Sequence, residues 1–128
     1  PLVRARAASS DILPGEELTA HPPTYNLEIP PDVPAKIFWS VSVYNAFSAS
    51  GVDNGKDFPS INSMDPVTYN DDGSASFYFG PKLPEGAFES NYLPTLPGEG
   101  WFTLFRLYGP GRPYFDGSWQ LPSIEKLN

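Results

Sequence analysis

The chain has 128 residues, 15 acidic against eight basic side chains, and a net charge of −7. An acidic chain without a basic cluster repels phosphate backbones, so nucleic-acid binding is disfavoured. The sequence contains no cysteine, which excludes disulfide scaffolds, cysteine metal sites and thiol nucleophiles. No apolar run approaches the roughly 20 residues that a membrane-spanning helix needs. The composition predicts a soluble protein and indicates no cofactor.

A chain of this length suits one domain with one hydrophobic core. Sixteen prolines and eleven glycines accompany 15% aromatic residues, a mixture that favours short strands and rigid turns over disorder. We expect an extended N-terminal arm over residues 1–24 and a folded domain over residues 25–128. Because the chain begins with Pro1, we expect it to be a piece of a longer protein. The compartment is left open, with export to the periplasm as one alternative.

Two segments with a period of two predict the first strands of the domain. Residues 25–29 alternate apolar and polar side chains and end before Pro30. Residues 37–44 are rich in β-branched and aromatic side chains, and Trp39 and Val41 fall on the same face. Both segments are therefore predicted to pack one face against a core.

The clearest hairpin signal lies at residues 70–73, because asparagine, aspartate and glycine tolerate the positive φ of a tight turn. This turn predicts that residues 67–69 pair with residues 75–79. Residues 80–100 carry four prolines, which cannot donate to a ladder, and predict a long excursion over the sheet. A short final strand is expected within residues 123–127.

Residues 101–108 predict the central strand, because both of its faces are largely apolar. Arg106 is the one charge in this strand. An unpaired buried charge is costly, so its guanidinium should meet a carboxylate. Glu89, Asp116 and Glu125 are the candidate partners, since each lies in an irregular segment that can fold back over the sheet. Arg106 is thus predicted to be a structural clamp, with an anion-binding arginine in a pocket as the alternative.

Several short strands are separated by turns, and no segment of ten or more residues shows a helical stripe. This pattern indicates an all-β domain. We predict a single β-sandwich of jelly-roll type with long proline- and glycine-rich loops.

Aromatic side chains in the loop-like segments offer a candidate ligand site. Flat rings beside hydrogen-bonding side chains can bind sugars or apolar ligands. The candidate ligand-binding residues are Asn91, Tyr92, Arg106, Tyr114 and Trp119. The alternative is that these rings pack beneath the loops as an extension of the core.

Catalytic and metal-binding residues are scarce. His21 is the only histidine, which excludes a histidine-rich metal site and leaves a nucleophilic triad without a well-placed base. The aspartates within residues 53–57 and 71–72 lack the spacing of an EF-hand loop and are typical of turns. We therefore predict no catalytic residue and no metal site.

A series of short motifs follows one another along most of the chain. They are Trp39-Ser40-Val41-Ser42-Val43-Tyr44, Asn70-x-Asp72-Gly73-Ser74, Gly80-Pro81-x-x-Pro84-x-Gly86, Asn91-x-Leu93-x-Thr95, Gly98-x-Gly100-Trp101-Phe102, Arg106-Leu107-Tyr108-Gly109-Pro110 and Asp116-x-x-Trp119. In this order they resemble the bacterial family called domain of unknown function 1214. That family commonly forms the C-terminal half of longer proteins, behind domain of unknown function 1254.

The resemblance runs from about residue 25 to residue 125. It implies a β-sandwich of jelly-roll type, in agreement with the strand pattern, and it implies no known activity. The chain departs from the family pattern at Tyr92, where the family has tryptophan.

The sequence favours a non-catalytic structural or interaction module, one half or one subunit of a larger assembly. Its partner would be another domain or subunit, including a second copy of the chain. One alternative is a carbohydrate- or small-ligand-binding domain that uses Tyr92, Tyr114 and Trp119. Another is a hydrolase-like subunit that uses Arg106 and carboxylates. A ligand site predicts a concave pocket lined by those rings, whereas a module predicts a flat apolar patch.

Overall fold

The computed structural model describes residues 24–45, 60–96 and 100–127, together with the backbone of residues 6–9. Within these ranges the chain forms eight strands, one four-residue helix and one 3₁₀ turn. The strands are β1 (Arg6–Ser9), β2 (Tyr25–Ile29), β3 (Ala35–Asn45), β4 (Ser60–Asn62), β5 (Ala75–Gly80), β6 (Tyr92–Pro94), β7 (Trp101–Pro110) and β8 (Glu125–Lys126). The helix α1 is Arg112–Phe115, and the 3₁₀ turn is Glu89–Asn91.

The strands form two four-stranded sheets. The first sheet has the order β1-β7-β3-β4, and the second has the order β6-β5-β2-β8. Among the described strands, all pairs are antiparallel except β5 with β6, which run parallel. β7 lies between β1 and β3, which confirms the prediction that it is a central strand.

The two sheets share one hydrophobic core. Alternate side chains of β7 are buried, as the period of two in a strand requires. Rings from the two sheets meet between them: the Trp39 and Phe77 centroids are 5.8 Å apart, and those of Phe79 and Trp101 are 5.2 Å apart. Burying one such ring stabilises the fold by about 1.5–3 kcal/mol.

The described part of the chain is therefore all-β apart from α1, as the sequence predicts. Gly111 caps this single helical turn, and Pro113 lies in its first positions, where a missing N–H is harmless. No helix in the described ranges is long and apolar enough to cross a membrane.

Several strand predictions are confirmed, with small shifts at their ends. β2 matches the predicted residues 25–29, and β3 extends the predicted residues 37–44 at both ends. β8 covers two residues of the predicted final strand and pairs with β2. β1 lies within the expected arm of residues 1–24 and adds an edge strand to the first sheet.

The turn at residues 70–73 forms, but the predicted hairpin is wrong. The Asn70 N–H donates to the Ser74 carbonyl at 2.7 Å, and Gly73 adopts a φ of 89°, which glycine tolerates. Residues 67–69 nevertheless form no strand. Both edges of β5 are already occupied, by β2 on one side and by β6 on the other. The segment before the turn therefore has no free strand edge to pair with.

Asp72 reinforces this turn. Its carboxylate accepts hydrogen bonds from the Ser74 hydroxyl at 2.6 Å and from the Ser74 backbone N–H at 2.9 Å. These bonds, the one from the hydroxyl first, hold the pKa of Asp72 below its usual value. Asp72 thus stabilises the turn, as expected for an aspartate at this position.

The proline-rich excursion contains a strand that the sequence does not predict. β6 runs parallel to β5 and pairs Tyr92 with Tyr78 and Pro94 with Gly80. β6 is an edge strand, so the missing N–H of Pro94 can be tolerated there. Because parallel neighbours are not joined by a tight turn, no turn signal in the sequence marks this pairing.

Candidate functional site

The first sheet has a second apolar surface, on the side that faces away from the core. Residues paired across antiparallel strands share a face, so the register of β3 with β7 defines its composition. The pairs are Phe38 with Tyr108, Ser40 with Arg106, Ser42 with Leu104 and Tyr44 with Phe102. We call these eight residues the outer face.

Two stacked aromatic pairs mark the two ends of the outer face. The rings of Phe38 and Tyr108 have centroids 4.2 Å apart and planes inclined by 24°. The rings of Tyr44 and Phe102 have centroids 5.4 Å apart and planes inclined by 18°. Such pairs are worth about 0.5–1.5 kcal/mol beyond the area that they bury. All four rings are half-buried in the chain, so part of each remains accessible.

Arg106 lies between these two aromatic pairs and is half-buried. Its guanidinium carbon is 5.3 Å from the centroid of the Tyr44 ring, within the range of a cation–π interaction. Its Nη1 donates to the Ser42 hydroxyl at 3.5 Å, a long hydrogen bond. The charge is therefore held against an aromatic ring and a hydroxyl on the neighbouring strand.

The carboxylates expected to pair with Arg106 lie elsewhere. Glu125 is in β8, an edge strand of the second sheet, and Glu89 begins the 3₁₀ turn that precedes β6 of the same sheet. The alternation of β7 turns Arg106 away from the core, and thus away from the layer that contains these two glutamates. The structure does not bring them together with Arg106.

Asp116, the third expected partner, follows α1. Its carboxylate accepts a hydrogen bond from the Ser118 backbone N–H at 2.9 Å. Hydrogen bonds from Ser118 hold the pKa of Asp116 below its usual value, with the side-chain bond contributing most. Among the described residues, the contacts of Arg106 are with Ser42 and Tyr44. A clamp between Arg106 and a carboxylate stays a prediction.

Asn91 is buried in the second sheet, where its side-chain amide is fully used. It accepts a hydrogen bond from the Thr68 N–H at 3.0 Å. It donates to the Thr68 carbonyl at 2.7 Å and to the Ser76 carbonyl at 3.0 Å. The amide therefore pairs with the backbone of residue 68 much as a neighbouring strand would, and it joins that segment to β5.

Tyr92 is also enclosed in the second sheet. It is 8% exposed, and its hydroxyl donates to the Gly80 carbonyl at 2.7 Å. Burial raises the pKa of Tyr92 to about 12. This ring and hydroxyl contribute to the packing of β5 and β6 instead of opening onto the surface.

Tyr114 and Trp119 are half-buried and pack against the core, which agrees with the alternative that loop rings extend it. The Trp119 ring stacks 5.8 Å from Phe105, and its indole N–H donates to the Pro31 carbonyl at 3.1 Å. Trp119 also lines an open cleft of about 690 Å³ together with Pro31 and Asp32. We call this region the corner cleft.

The five candidate ligand residues do not form one site. Asn91 and Tyr92 lie in the second sheet, and Arg106 lies on the outer face of the first. Tyr114 and Trp119 follow β7 and belong to one segment. The aromatic residues of the outer face were not selected as site residues from the sequence. The signal that points to them is the apolar character of both faces of β7.

Acidic side chains do not converge in the described ranges. No group of three or more histidine, cysteine, aspartate or glutamate residues there could hold a metal ion. His21 lies outside the described residues.

Two solved structures share the fold of this chain. The VPA0106 protein from Vibrio parahaemolyticus is 20% identical, with a TM-score of 0.69, and the match covers 99% of this chain and 31% of that one. An uncharacterized protein from Burkholderia cenocepacia is 16% identical, with a TM-score of 0.66, over 98% of this chain and 29% of that one. The chain thus spans less than a third of the length of these proteins. No curated protein matches it.

The family described as "Protein of unknown function (DUF1214)" matches residues 10–112, which is more than half of the chain. This match confirms the resemblance carried by the ordered motifs from Trp39 to Trp119. The chain belongs to the DUF1214 family of proteins of unknown function.

Proposed function

We propose that this chain is a non-catalytic interaction module that packs its outer face against another folded domain. The observation that supports this most directly is the composition of that face: two stacked aromatic pairs, Leu104 and Arg106. An antiparallel sheet face in contact with water normally carries polar side chains. Aromatic residues and arginine are instead enriched in protein interfaces, where they often dominate the binding energy.

The length of the structural neighbours supports a partner within a longer polypeptide. This chain aligns with 31% and 29% of the two solved proteins, so most of each neighbour consists of other segments. A further domain of this kind is the partner that we propose for the outer face. When the chain is alone, the same face is available to a second copy.

The architecture that we propose for the module is a β-sandwich of jelly-roll type. Eight strands divided equally between two sheets with a common core agree with this arrangement. The parallel pair of β5 and β6 is a local departure from an antiparallel jelly roll. We also propose residues 25–128 as the domain, with residues 1–24 as an arm that contributes β1.

The two alternative functions have weaker support. A ligand site built on the loop rings requires accessible rings, whereas the Tyr92 ring is buried and the Trp119 indole is stacked on Phe105. The corner cleft is concave and Trp119 lines it, which is the feature that favours this alternative. A hydrolase-like site would need carboxylates beside Arg106, and its described contacts are Ser42 and Tyr44.

Light scattering on chromatographically separated protein tests the proposal. We expect the isolated chain to exceed the 14.1 kDa of a monomer as its concentration rises, because the outer face associates with a second copy. Leu104→Lys places a charge in the middle of that face and should return the chain to a monomer. Leu83→Lys is the matched control, since Leu83 is 41% exposed in the loop after β5.

The outcome that contradicts the proposal is equally specific. A monomer at every concentration, with the Leu104→Lys variant as stable and as soluble as the control, would show that the outer face needs no cover. Association that both lysine variants disrupt equally would place the contact elsewhere.

A further inference from the structure

A cavity of about 270 Å³ lies at one end of the two sheets, where β2 ends and β3 and β5 begin. We call it the end cavity. Its walls are mostly apolar and include Ile29, Ala35, Trp39 and Ala75. Its lining also includes two strongly exposed apolar side chains, Ile37 at 70% and Tyr69 at 50%. An apolar cavity close to the size of known small-molecule sites, with accessible apolar residues beside it, is suited to a small ligand.

Trp39 gives this cavity a specific polar group. The side chain is only 6% exposed, and its ring packs between Phe77 and Phe105. Its indole N–H has no acceptor among the described residues. Buried tryptophan N–H groups usually have a hydrogen-bond partner. Every fully enclosed side-chain nitrogen or oxygen in the described ranges has one, so the Trp39 nitrogen must reach open space. The end cavity is the space that Trp39 lines.

Asp32 adds an acceptor to the same cavity. It lines both the end cavity and the corner cleft. Its φ of 60° makes it the non-glycine residue with a left-handed backbone in the described ranges, a conformation that aspartate and asparagine tolerate. Its carboxylate has no hydrogen-bond or ion-pair partner among the described residues. The cavity therefore offers one N–H donor, from Trp39, and one carboxylate acceptor, from Asp32.

We propose that the end cavity binds a small apolar molecule whose uncharged head group both accepts and donates a hydrogen bond, a hydroxyl or a primary amide. The head group accepts from the Trp39 indole N–H and donates to Asp32, while the apolar body contacts residues such as Ile29 and Ala75. Anions are excluded, because the Asp32 carboxylate and the net charge of −7 repel them. The site is distinct from the docking role proposed for the outer face and does not depend on it.

The test is an NMR titration with two probes that share a ring and differ in charge. Benzyl alcohol carries the proposed head group, and benzoate carries an anion in its place. We expect benzyl alcohol to shift the Trp39 indole N–H signal and the Ala75 methyl signal in a saturable manner with one dissociation constant. Benzoate at the same concentrations should leave both signals unchanged.

Three variants make the test specific. Trp39→Phe keeps a ring but removes the donor, and we expect benzyl alcohol to bind about three- to tenfold more weakly, followed on the Ala75 methyl. Asp32→Asn keeps the tolerance for a positive φ and removes the negative charge, so benzoate should begin to bind. Trp119→Phe is the control, since its indole N–H already donates to Pro31 and it does not line the end cavity.

Two results would overturn the inference. One is a Trp39 indole signal that does not move at a saturating concentration of benzyl alcohol, which would mean that water alone occupies the cavity. The other is benzyl alcohol binding that is equally tight in the Trp39→Phe and Trp119→Phe variants. If Trp39→Phe fails to fold, Asp32→Asn decides alone: benzoate excluded from that variant as completely as from the wild type contradicts the proposed site.

Discussion

Asn91 is only 1% exposed, and its amide makes three hydrogen bonds to backbone groups of Thr68 and Ser76. These groups would otherwise lack partners in a part of the second sheet that no ladder reaches. A buried backbone group that loses its partner costs about 1–3 kcal/mol, more than a surface hydrogen bond contributes. At the scale of single residues, Asn91 is therefore a structural residue and the corresponding ligand prediction has no support from its contacts.

Asn91→Ala should lower the free energy of unfolding by about 2–3 kcal/mol, because the Thr68 and Ser76 groups lose their partner. Urea denaturation followed by tryptophan fluorescence measures this change. Asn26→Ala is the control: its side chain makes one long bond, 3.3 Å to the Phe77 carbonyl, and should cost about 1 kcal/mol or less. Equal losses in the two variants would contradict the role given to Asn91.

Tyr92 makes stability depend on pH in the alkaline range. Its pKa is raised from 10.0 to about 12 by burial, so the folded chain holds the phenol proton more tightly than the unfolded chain. The contribution is fully present below pH 10 and is lost as the pH rises towards 12. Tyr92→Phe should remove this part of the alkaline destabilisation. Chemical denaturation at pH 8 and pH 11 tests it, and an unchanged pH dependence in the variant would contradict it.

Arg106 remains the residue whose role the sequence addresses most directly. Arg106→Ala loses the cation–π contact with Tyr44 and the packing of the aliphatic stem, so we expect a loss of about 1–2 kcal/mol. Arg106→Met retains most of the stem and should be milder. Thermal unfolding of both variants compares them. Wild-type melting temperatures in both would exclude a structural role for Arg106.

At the scale of elements, β7 is the strand that organises the first sheet, and its two faces differ in burial. Phe105 is 1% exposed and belongs to the core, whereas Phe102 is half-buried on the outer face. Phe105→Ala should cost about 3–5 kcal/mol, the range for a phenylalanine removed from a core. Phe102→Ala should cost no more than about half of that in the isolated chain. Denaturant titrations of the two variants give the comparison, and the reverse order would contradict the assignment of faces.

The strands that alternation predicts are those with one fully buried face. Residues 25–29 and 101–108 are examples, because burial on one side imposes a period of two that the sequence must follow. Pairing between strands is less accessible. The segment 67–69 has strand-like residues beside a correct turn, yet β6 occupies the edge of β5 that it would need. That competition is a long-range property and leaves no local signal.

At the scale of the whole molecule, an all-β fold with one core follows from the distribution of aromatic and β-branched residues, whereas the placement of loop residues does not. Trp119 and Tyr92 have similar sequence surroundings, but one lines the corner cleft and the other is enclosed between β5 and β6. Loop side chains are positioned by tertiary contacts that have no fixed period. The candidate ligand residues were for this reason dispersed, while the apolar second face of β7 was already visible in the sequence.

Cysteine labelling tests the central claim, that the outer face is covered by another folded domain, most directly. The chain has no cysteine, so Leu104→Cys introduces a single thiol on that face and Leu83→Cys a single thiol outside it. We predict that maleimide labelling of Leu104→Cys slows as the protein concentration rises, because association covers the thiol, while Leu83→Cys reacts at a constant rate. Labelling of Leu104→Cys that is independent of concentration, and as fast as in the control, would contradict the account.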